Sequence, residues 1–251
     1  MWRDRILAVV LPAFNEGRLI HRCVDEQPAF VDHVVVVDDA STDDTAQQAR
    51  ASNRPGLHVL RHASNRGVGA ATVTGYREAL RLGAELIVGS NGDAQMNPDD
   101  TEGLLQGLLD GADLVRGNRF ARPDTLGAMP VERRMATRAL SVFMRLATGI
   151  AAVHDSQSGF HALTRDALQR LDLDVLWPGY GFPNDLVARA AEAGLRIAEV
   201  PVDARYGTEK SGIRPWHALH PVGTRITAAA LRRLFRRRVS LAFAQTEPRD
   251  P

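Results

Sequence analysis

The stretch Val34-Val35-Val36-Val37-Asp38-Asp39-Ala40-Ser41-Thr42-Asp43 sets four β-branched residues directly before two adjacent carboxylates. β-Branched side chains at every position, with no polar alternation, suit a strand covered on both faces. Working outward, the same punctuation recurs. Residues 6–11 form a continuous apolar run ending at Pro12, which has no N–H to give a sheet ladder. Residues 57–60 and 86–88 read as further strands, and 113–115 as a weaker fifth. Helical patterns fill the gaps, over 16–26, 43–51, 69–82 and 98–109. Such alternation predicts right-handed βαβ units around a mostly parallel sheet, an α/β sandwich of Rossmann-like type. Ligands of these sheets bind beyond the carboxyl ends of the strands, so the residues after each run are where chemistry is expected.

The second half reads as a helix over 133–146, an extended segment over 158–163, a helix over 183–193 and a strand over 196–200. A polar loop follows to residue 214, then a helical pattern over 222–244. On that last segment Ile226, Ala230, Leu231, Leu234 and Phe235 share space with Arg232, Arg233, Arg236, Arg237 and Arg238. It reads either as a solvated helix face or as a basic helix lying on an anionic bilayer. No linker or repeat divides the halves.

With 251 residues, 44% hydrophobic and 24% charged, the chain can bury a core, which excludes disorder and low-complexity fibre. A net charge of +1 argues against a nucleic-acid coat, since phosphate binding needs clustered excess cations. The lone Cys23 permits no intrachain disulfide and no zinc cluster. No signal peptide and no membrane-length apolar run is found, so the cytoplasm is the expected compartment.

Four strand ends carry the chemistry. Pro12-Ala13-Phe14-Asn15-Glu16 follows the first and reads as a turn with Asn15 capping a helix, or as part of a ligand loop. After the second, Ser41 or Thr42 can cap a helix whose positive end suits Asp43 and Asp44. That leaves Asp38 and Asp39 unexplained, and an aspartate there can accept from a uracil imide or a guanine amino group. Asn65-Arg66-Gly67-Val68-Gly69-Ala70-Ala71 follows the third strand, where glycines admit an anion and helix N–H groups attract phosphate. It lacks the ending of a P-loop. After the fourth strand, Asn91 and Asp93 are two apart and can converge as oxygen ligands for Mg²⁺ or Mn²⁺, or else form an Asx turn before Pro98.

Taken together, these segments resemble the inverting family 2 glycosyltransferases of the nucleotide-diphospho-sugar (GT-A) fold. The resemblance implies that Pro12, Ala13, Asn15 and Glu16 form the nucleotide entry loop, with Asp39 the base contact and Arg66 and Gly67 in the glycine loop. It sets Asn91 and Asp93 on the family's Asp-x-Asp metal motif, with Gln95 where the lipid-phosphate branch has a further ligand. Here the first acid is an amide, so one negative charge is missing and a nucleotide diphosphate is expected to complete the site. Gly117-Asn118-Arg119-Phe120 looks like the family's Gly-Ser-Arg-Tyr segment, whose Arg119 would face a phosphate. Arg134 and Arg138, at i and i+4, resemble the acceptor-phosphate arginines of dolichyl- and polyprenyl-phosphate mannose and glucose synthases. Asp155-Ser156-Gln157-Ser158-Gly159-Phe160-His161, Gly181-Phe182-Pro183-Asn184-Asp185 and the segment from Tyr206 to Ile213 are similar to motifs of that branch. In the last of these Lys210 precedes Ser211, the reverse of the usual order.

The resemblance implies transfer of a hexose from a UDP- or GDP-sugar to a polyprenyl phosphate, with inversion and a divalent ion. A phosphate acceptor is already ionised and needs cations, for which Arg134, Arg138, Arg205 and Lys210 stand in plausible positions. A hydroxyl acceptor would need a base, with Asp185 or Asp155 the candidates, Asp155 alternatively only organising the acceptor loop; Asp93 and Arg119 complete the expected catalytic set. Residues 1–221 are expected to form the transferase domain, its nucleotide half about 1–120 and its acceptor half about 121–221. The basic helix and tail would span 222–251 and could meet the inner membrane face. Two alternatives stay open: a soluble transferase acting on a hydroxyl, and a catalytically weak nucleotide-sugar-binding protein.

Overall fold

The computed structural model describes residues 1–122, 126, 129–203, 205, 224, 227, 228 and 230–232. Its strands are β1 (Leu7–Ala13), β2 (His33–Asp38), β3 (Leu57–Arg61), β4 (Leu86–Gly89), β5 (Leu114–Asn118), β6 (His161–Thr164) and β7 (Ile197–Pro201). The helices are α1 (Ile20–Asp25), α2 (Thr45–Arg50), α3 (Val68–Arg81), α4 (Thr101–Leu109), α5 (Val131–Thr148), α6 (Arg165–Gln169) and α7 (Phe182–Glu192). One sheet carries all seven strands in the order β3-β2-β1-β4-β6-β5-β7. Only β6 runs against its neighbours, pairing antiparallel with β4 and β5. This is the expected mostly parallel α/β sandwich.

The valine run explains the layering. Val34 and Val36 join one core with Val9, Leu11, Ile20, Leu104 and Leu105, while Val35 and Val37 join the other with Val10, Tyr76, Leu163 and Leu186. Alternate side chains of one strand thus meet α1, α2 and α4 on one face and α3, α6 and α7 on the other. Each fully buried valine or leucine contributes roughly 1.5–3 kcal/mol. Helix α5 packs Met144 and Ala147 against Val187 and Ala188 of α7, and this small cluster meets the sheet at Ile197 of β7.

Several boundaries differ from the sequence reading. β1 continues through Pro12 to Ala13. The Pro12 carbonyl accepts from the Gly92 N–H at 3.1 Å, so the missing proline donor falls on the side where β4 has already ended. The first helix starts at Ile20, not at residue 16, because Asn15 takes φ +58° and the chain there bonds elsewhere. The N–H groups of Asn15, Glu16 and Gly17 donate to Ser41 Oγ, Thr45 Oγ1 and Asp43 at 2.9, 2.8 and 3.1 Å. Asn15 therefore caps no helix; its Oδ1 accepts the Thr42 N–H at 2.8 Å and ties the first two strand-end loops together. The segment expected to be extended over 158–163 forms a strand only from His161. Helix α6, absent from the sequence reading, starts where Thr164 Oγ1 accepts the Ala167 N–H at 3.1 Å.

Candidate active site

The loops after β1, β4 and β5 open around a cleft of about 660 Å³. Because β6 is reversed, its first residue, His161, arrives at this same end of the sheet. Helix α5 brings one arginine to the cleft and α7 brings Phe182 and Pro183. Of the residues singled out in the sequence, Pro12, Asn15, Glu16, Asn91, Asp93, Gln95 and Arg119 line it.

The β4 turn sets Asn91, Asp93 and Gln95 along the cleft. Asp93 Oδ1 accepts the Gln95 N–H at 3.2 Å, and Ala94 takes φ +56° to close the turn. Asn91 lies against Gly159, where a Cβ would come 3.0 Å from its amide nitrogen. Two amides and one carboxylate are hard donors carrying a single formal charge, and among the described residues no three His, Cys, Asp or Glu side chains gather. That set fits Mg²⁺ or Mn²⁺ in the manner of ions held by one or two carboxylates together with substrate phosphates.

Arg119 is only 3% exposed, yet it reaches the cleft. Its Nε and one terminal NH₂ donate to the two oxygens of Asp155 at 2.6 and 2.8 Å, a bidentate pair that fixes the guanidinium plane. Burial would raise the Asp155 pKa, but the charge and hydrogen bonds of Arg119 outweigh it and hold the carboxyl below its ordinary range. The loop bearing Asp155 is gripped by Arg116, a buried β5 residue that donates to the carbonyls of Asp155, Ser156, Ser158 and Pro183.

Several expected roles are redirected. Asp155 is fully buried with both oxygens on Arg119, so it orients that arginine instead of standing in the cleft as a base. Asp185, also fully buried, accepts the Trp177 N–H at 3.0 Å and has Arg189 and Arg232 at 3.8 and 3.9 Å; it does not line the cleft either. The Asp39 carboxylate accepts the N–H groups of Arg66 and Gly67 at 2.9 and 2.7 Å, with His62 Nδ1 2.6 Å away, so it braces the glycine loop. That loop turns from the anion it was expected to hold: Gly69 and Ala70 donate their N–H groups to the Pro178 carbonyl at 2.7 and 3.1 Å. It enters the cleft through Val68 and Thr72, while Ala13, Arg66 and Gly67 stay outside the lining.

Neither Arg134 nor Arg138, the arginines expected to meet an acceptor phosphate, lines the cleft. Arg134 donates to the carbonyls of Leu126 and Met129 at 3.1 and 3.2 Å, and Arg138 lies 5.2 Å over the Phe120 ring. Arg133, which the sequence reading passed over, lines the cleft instead. Its period with the buried Thr137, Ser141 and Met144 was the available signal. Arg205 binds Glu26 and Asn97 at 2.8 Å each and braces the β4 turn from outside. Lys210, the motif from Tyr206 to Ile213 and most of the basic C-terminal run lie outside the described residues. Another residue missed is His161, buried on the cleft floor between the Tyr76 hydroxyl and the Gly159 carbonyl, 2.7 Å from its Nδ1. Burial, reinforced by the nearby Arg116 charge, pushes its pKa down to about 3, so it is a neutral hydrogen-bonding group.

A mostly parallel sheet with an oxygen-rich turn, buried arginines and a cleft at its carboxyl edge fits the GT-A glycosyltransferase class. The chain belongs to glycosyl transferase family 2, whose model matches residues 8–172. It is 31% identical over 206 residues to the polyprenol monophosphomannose synthase of Mycolicibacterium smegmatis, covering 77% of this chain and 75% of that one. Against the undecaprenyl-phosphate mannosyltransferase of Micrococcus luteus the identity is 34% over 205 residues, covering 79% and 82%. Among solved structures, glucosyl-3-phosphoglycerate synthase from Mycobacterium tuberculosis, in complex with Mn²⁺, UDP and glucosyl-3-phosphoglycerate, matches with a TM-score of 0.66 at 25% identity, covering 92% of this chain and 80% of that one.

Proposed function

We propose that this protein transfers a hexose from a UDP- or GDP-sugar to a polyprenyl phosphate, with inversion at the anomeric carbon. One observation carries the reading: Arg119 and Arg133 reach the cleft beside the Asn91–Gln95 turn, while Asp155 and Asp185 are buried outside its lining and the acids that do line it, Glu16, Asp43 and Asp93, stand in the donor loops and the ion turn. A hydroxyl nucleophile would need a positioned base. A phosphate monoester is already ionised near neutral pH and needs cations, which this cleft provides. The names of the mycobacterial and micrococcal relatives support the acceptor class, and the UDP and Mn²⁺ in the structural neighbour support the donor class and the ion.

In this mechanism Arg133 and Arg119 orient the acceptor phosphate, and Asp155 holds Arg119 in place. A phosphate oxygen forms the new bond to the anomeric carbon as the bond to the nucleoside diphosphate breaks, so an α-linked donor yields a β-linked product. Asn91, Asp93 and Gln95 would hold Mg²⁺ or Mn²⁺, which supplies charge neutralisation at the departing diphosphate. Asp39 keeps the glycine loop against the donor pocket. Residues 1–221 act as the transferase domain, followed by the basic segment 222–251, and the enzyme works at the inner membrane face. Among the described residues no helix is long and apolar enough to cross a membrane.

The test incubates purified protein with Mg²⁺ or Mn²⁺, a short polyprenyl phosphate, and UDP-glucose or GDP-mannose in separate tubes. Mass spectrometry then follows both the organic-extractable sugar lipid and the released nucleoside diphosphate. A sugar lipid in one tube is the expected result and names the donor. Nucleotide release with no sugar lipid would overturn the acceptor class.

A further inference from the structure

Helix α5 is inverted on its outer side. Surface helices of globular proteins bury one apolar stripe and present polar residues outward. α5 does bury Thr137, Ser141, Met144 and Ala147. At about 100° per residue, Val131, Met135, Val142 and Leu146 fall on the opposite side of the helix. These four are 60, 67, 46 and 73% exposed, and Phe143 beside them is 42% exposed. They form a continuous apolar stripe of a kind that marks interaction surfaces. Arg134, Arg138 and Arg145 run along one edge of it, and Glu132 is the helix's single acidic residue.

We propose that this outer face of α5 docks the protein on an anionic lipid bilayer. Apolar side chains sink to the headgroup boundary and the flanking Arg138 and Arg145 meet anionic headgroups, the pattern of an interfacial amphipathic helix. Charge complementarity selects the bilayer over a second copy of the chain, because a self-pairing face would bring two rows of arginine together. The placement also has a use, which rests on the polyprenyl-phosphate reading. Arg133 sits on the cleft side of the same helix, so a lipid phosphate whose tail stays in the bilayer is presented to the site. The membrane contact is thus assigned to α5, independently of the basic C-terminal run.

The test uses the full chain and vesicles of phosphatidylcholine with or without about one third phosphatidylglycerol. Wild type should co-sediment with the anionic vesicles. The double variant Met135→Glu/Val142→Glu should bind them roughly tenfold more weakly, and Arg145→Gln should weaken binding about fivefold, on anionic vesicles only. Both glutamates replace exposed side chains, so an unchanged melting temperature certifies the fold. Equal binding by wild type and double variant, or no binding by wild type, overturns the proposal. So does a wild-type dimer in sedimentation velocity that the double variant splits, which would make the face a self-association surface. Activity separates the two readings: the double variant should keep transfer to a short water-soluble isoprenoid phosphate and lose transfer to a long-chain one in vesicles. Vesicle binding through α5 with transfer to neither acceptor would sink the acceptor reading and leave the docking surface standing.

Discussion

At the residue scale, neighbouring arginines have unlike duties. Arg133 lines the cleft, whereas Arg134 ties the helix start to the Leu126 and Met129 carbonyls. Replacing Arg133 by Gln should raise the KM for the lipid phosphate by one to two orders of magnitude, since a hydrogen bond to a charged group contributes about 1.5–3 kcal/mol. Arg134→Gln should leave that KM unchanged and lower the melting temperature; equal kinetic effects of the two would refute the assignment. Asp155→Asn removes the buried partner of Arg119 and should cost about 3–5 kcal/mol in urea unfolding, together with a fall in kcat. A variant of unaltered stability would mean that the pair does not hold the site. Asp93→Asn takes the only formal charge from the β4 turn. Turnover should drop by about two orders of magnitude, and calorimetry with Mn²⁺ should show weaker nucleotide binding. Unchanged turnover would remove Asp93 from the ion's ligands.

At the element scale, the decisive contact joins the start of α3 to the loop before α7. Gly69 can carry no side chain there: a Cβ would sit 2.1 Å from the Trp177 carbonyl oxygen and 2.9 Å from the Phe182 ring. A backbone atom cannot swing aside, so Gly69→Ala should cost about 1–3 kcal/mol by displacing the helix start and its bonds to Pro178. Gly103, inside α4 with nothing within 4 Å of its would-be Cβ, is the matched control. There alanine should raise stability by up to about 1 kcal/mol, through helix propensity alone. Thermal unfolding of both variants, with opposite signs expected, checks the contact. Glycines read in sequence as room for an anion are here room for a neighbouring loop, because a close approach of either kind demands the same residue.

At the scale of the whole molecule, the reversed strand β6 carries a titratable group into the core. His161 has a folded pKa of about 3 against an ordinary 6.5, so the unfolded chain binds the extra proton first. Its contribution is therefore complete above pH 6.5 and is lost as pH falls toward 3, by up to about 1.4 kcal/mol per pH unit. His58, partly exposed, shifts in the same direction, and Asp155 adds its own loss only within and below the ordinary carboxylate range. Denaturant unfolding of wild type and His161→Gln between about pH 4.5 and 6.5 should show the variant with the flatter dependence. Parallel curves would mean that His161 is not held neutral.

How much was legible depended on the range of the interactions. Covered strands announce themselves through runs such as 34–37, and the residues that close each strand follow in the chain. The α/β class, the strand-end loops and the oxygen turn at 91–95 could therefore be read locally, as could Arg119 at the end of β5. Other features arise from contacts between segments far apart in sequence. Asp39 was engaged by residues 62–67, Asp155 by Arg119, and the α3 amides by Pro178, which turned expected ligand contacts into internal braces. The phase of α5, with Arg133 inward and Met135 outward, depended on where α7 stood to receive Met144 and Ala147. Hydrophobic periodicity and turn chemistry act over a few residues, so the sequence by itself determined the layered fold and the edge at which chemistry sits. Which charged side chains face the cleft, and which are spent holding it together, only the tertiary structure decided, because a buried charge takes whichever partner the packing brings within reach.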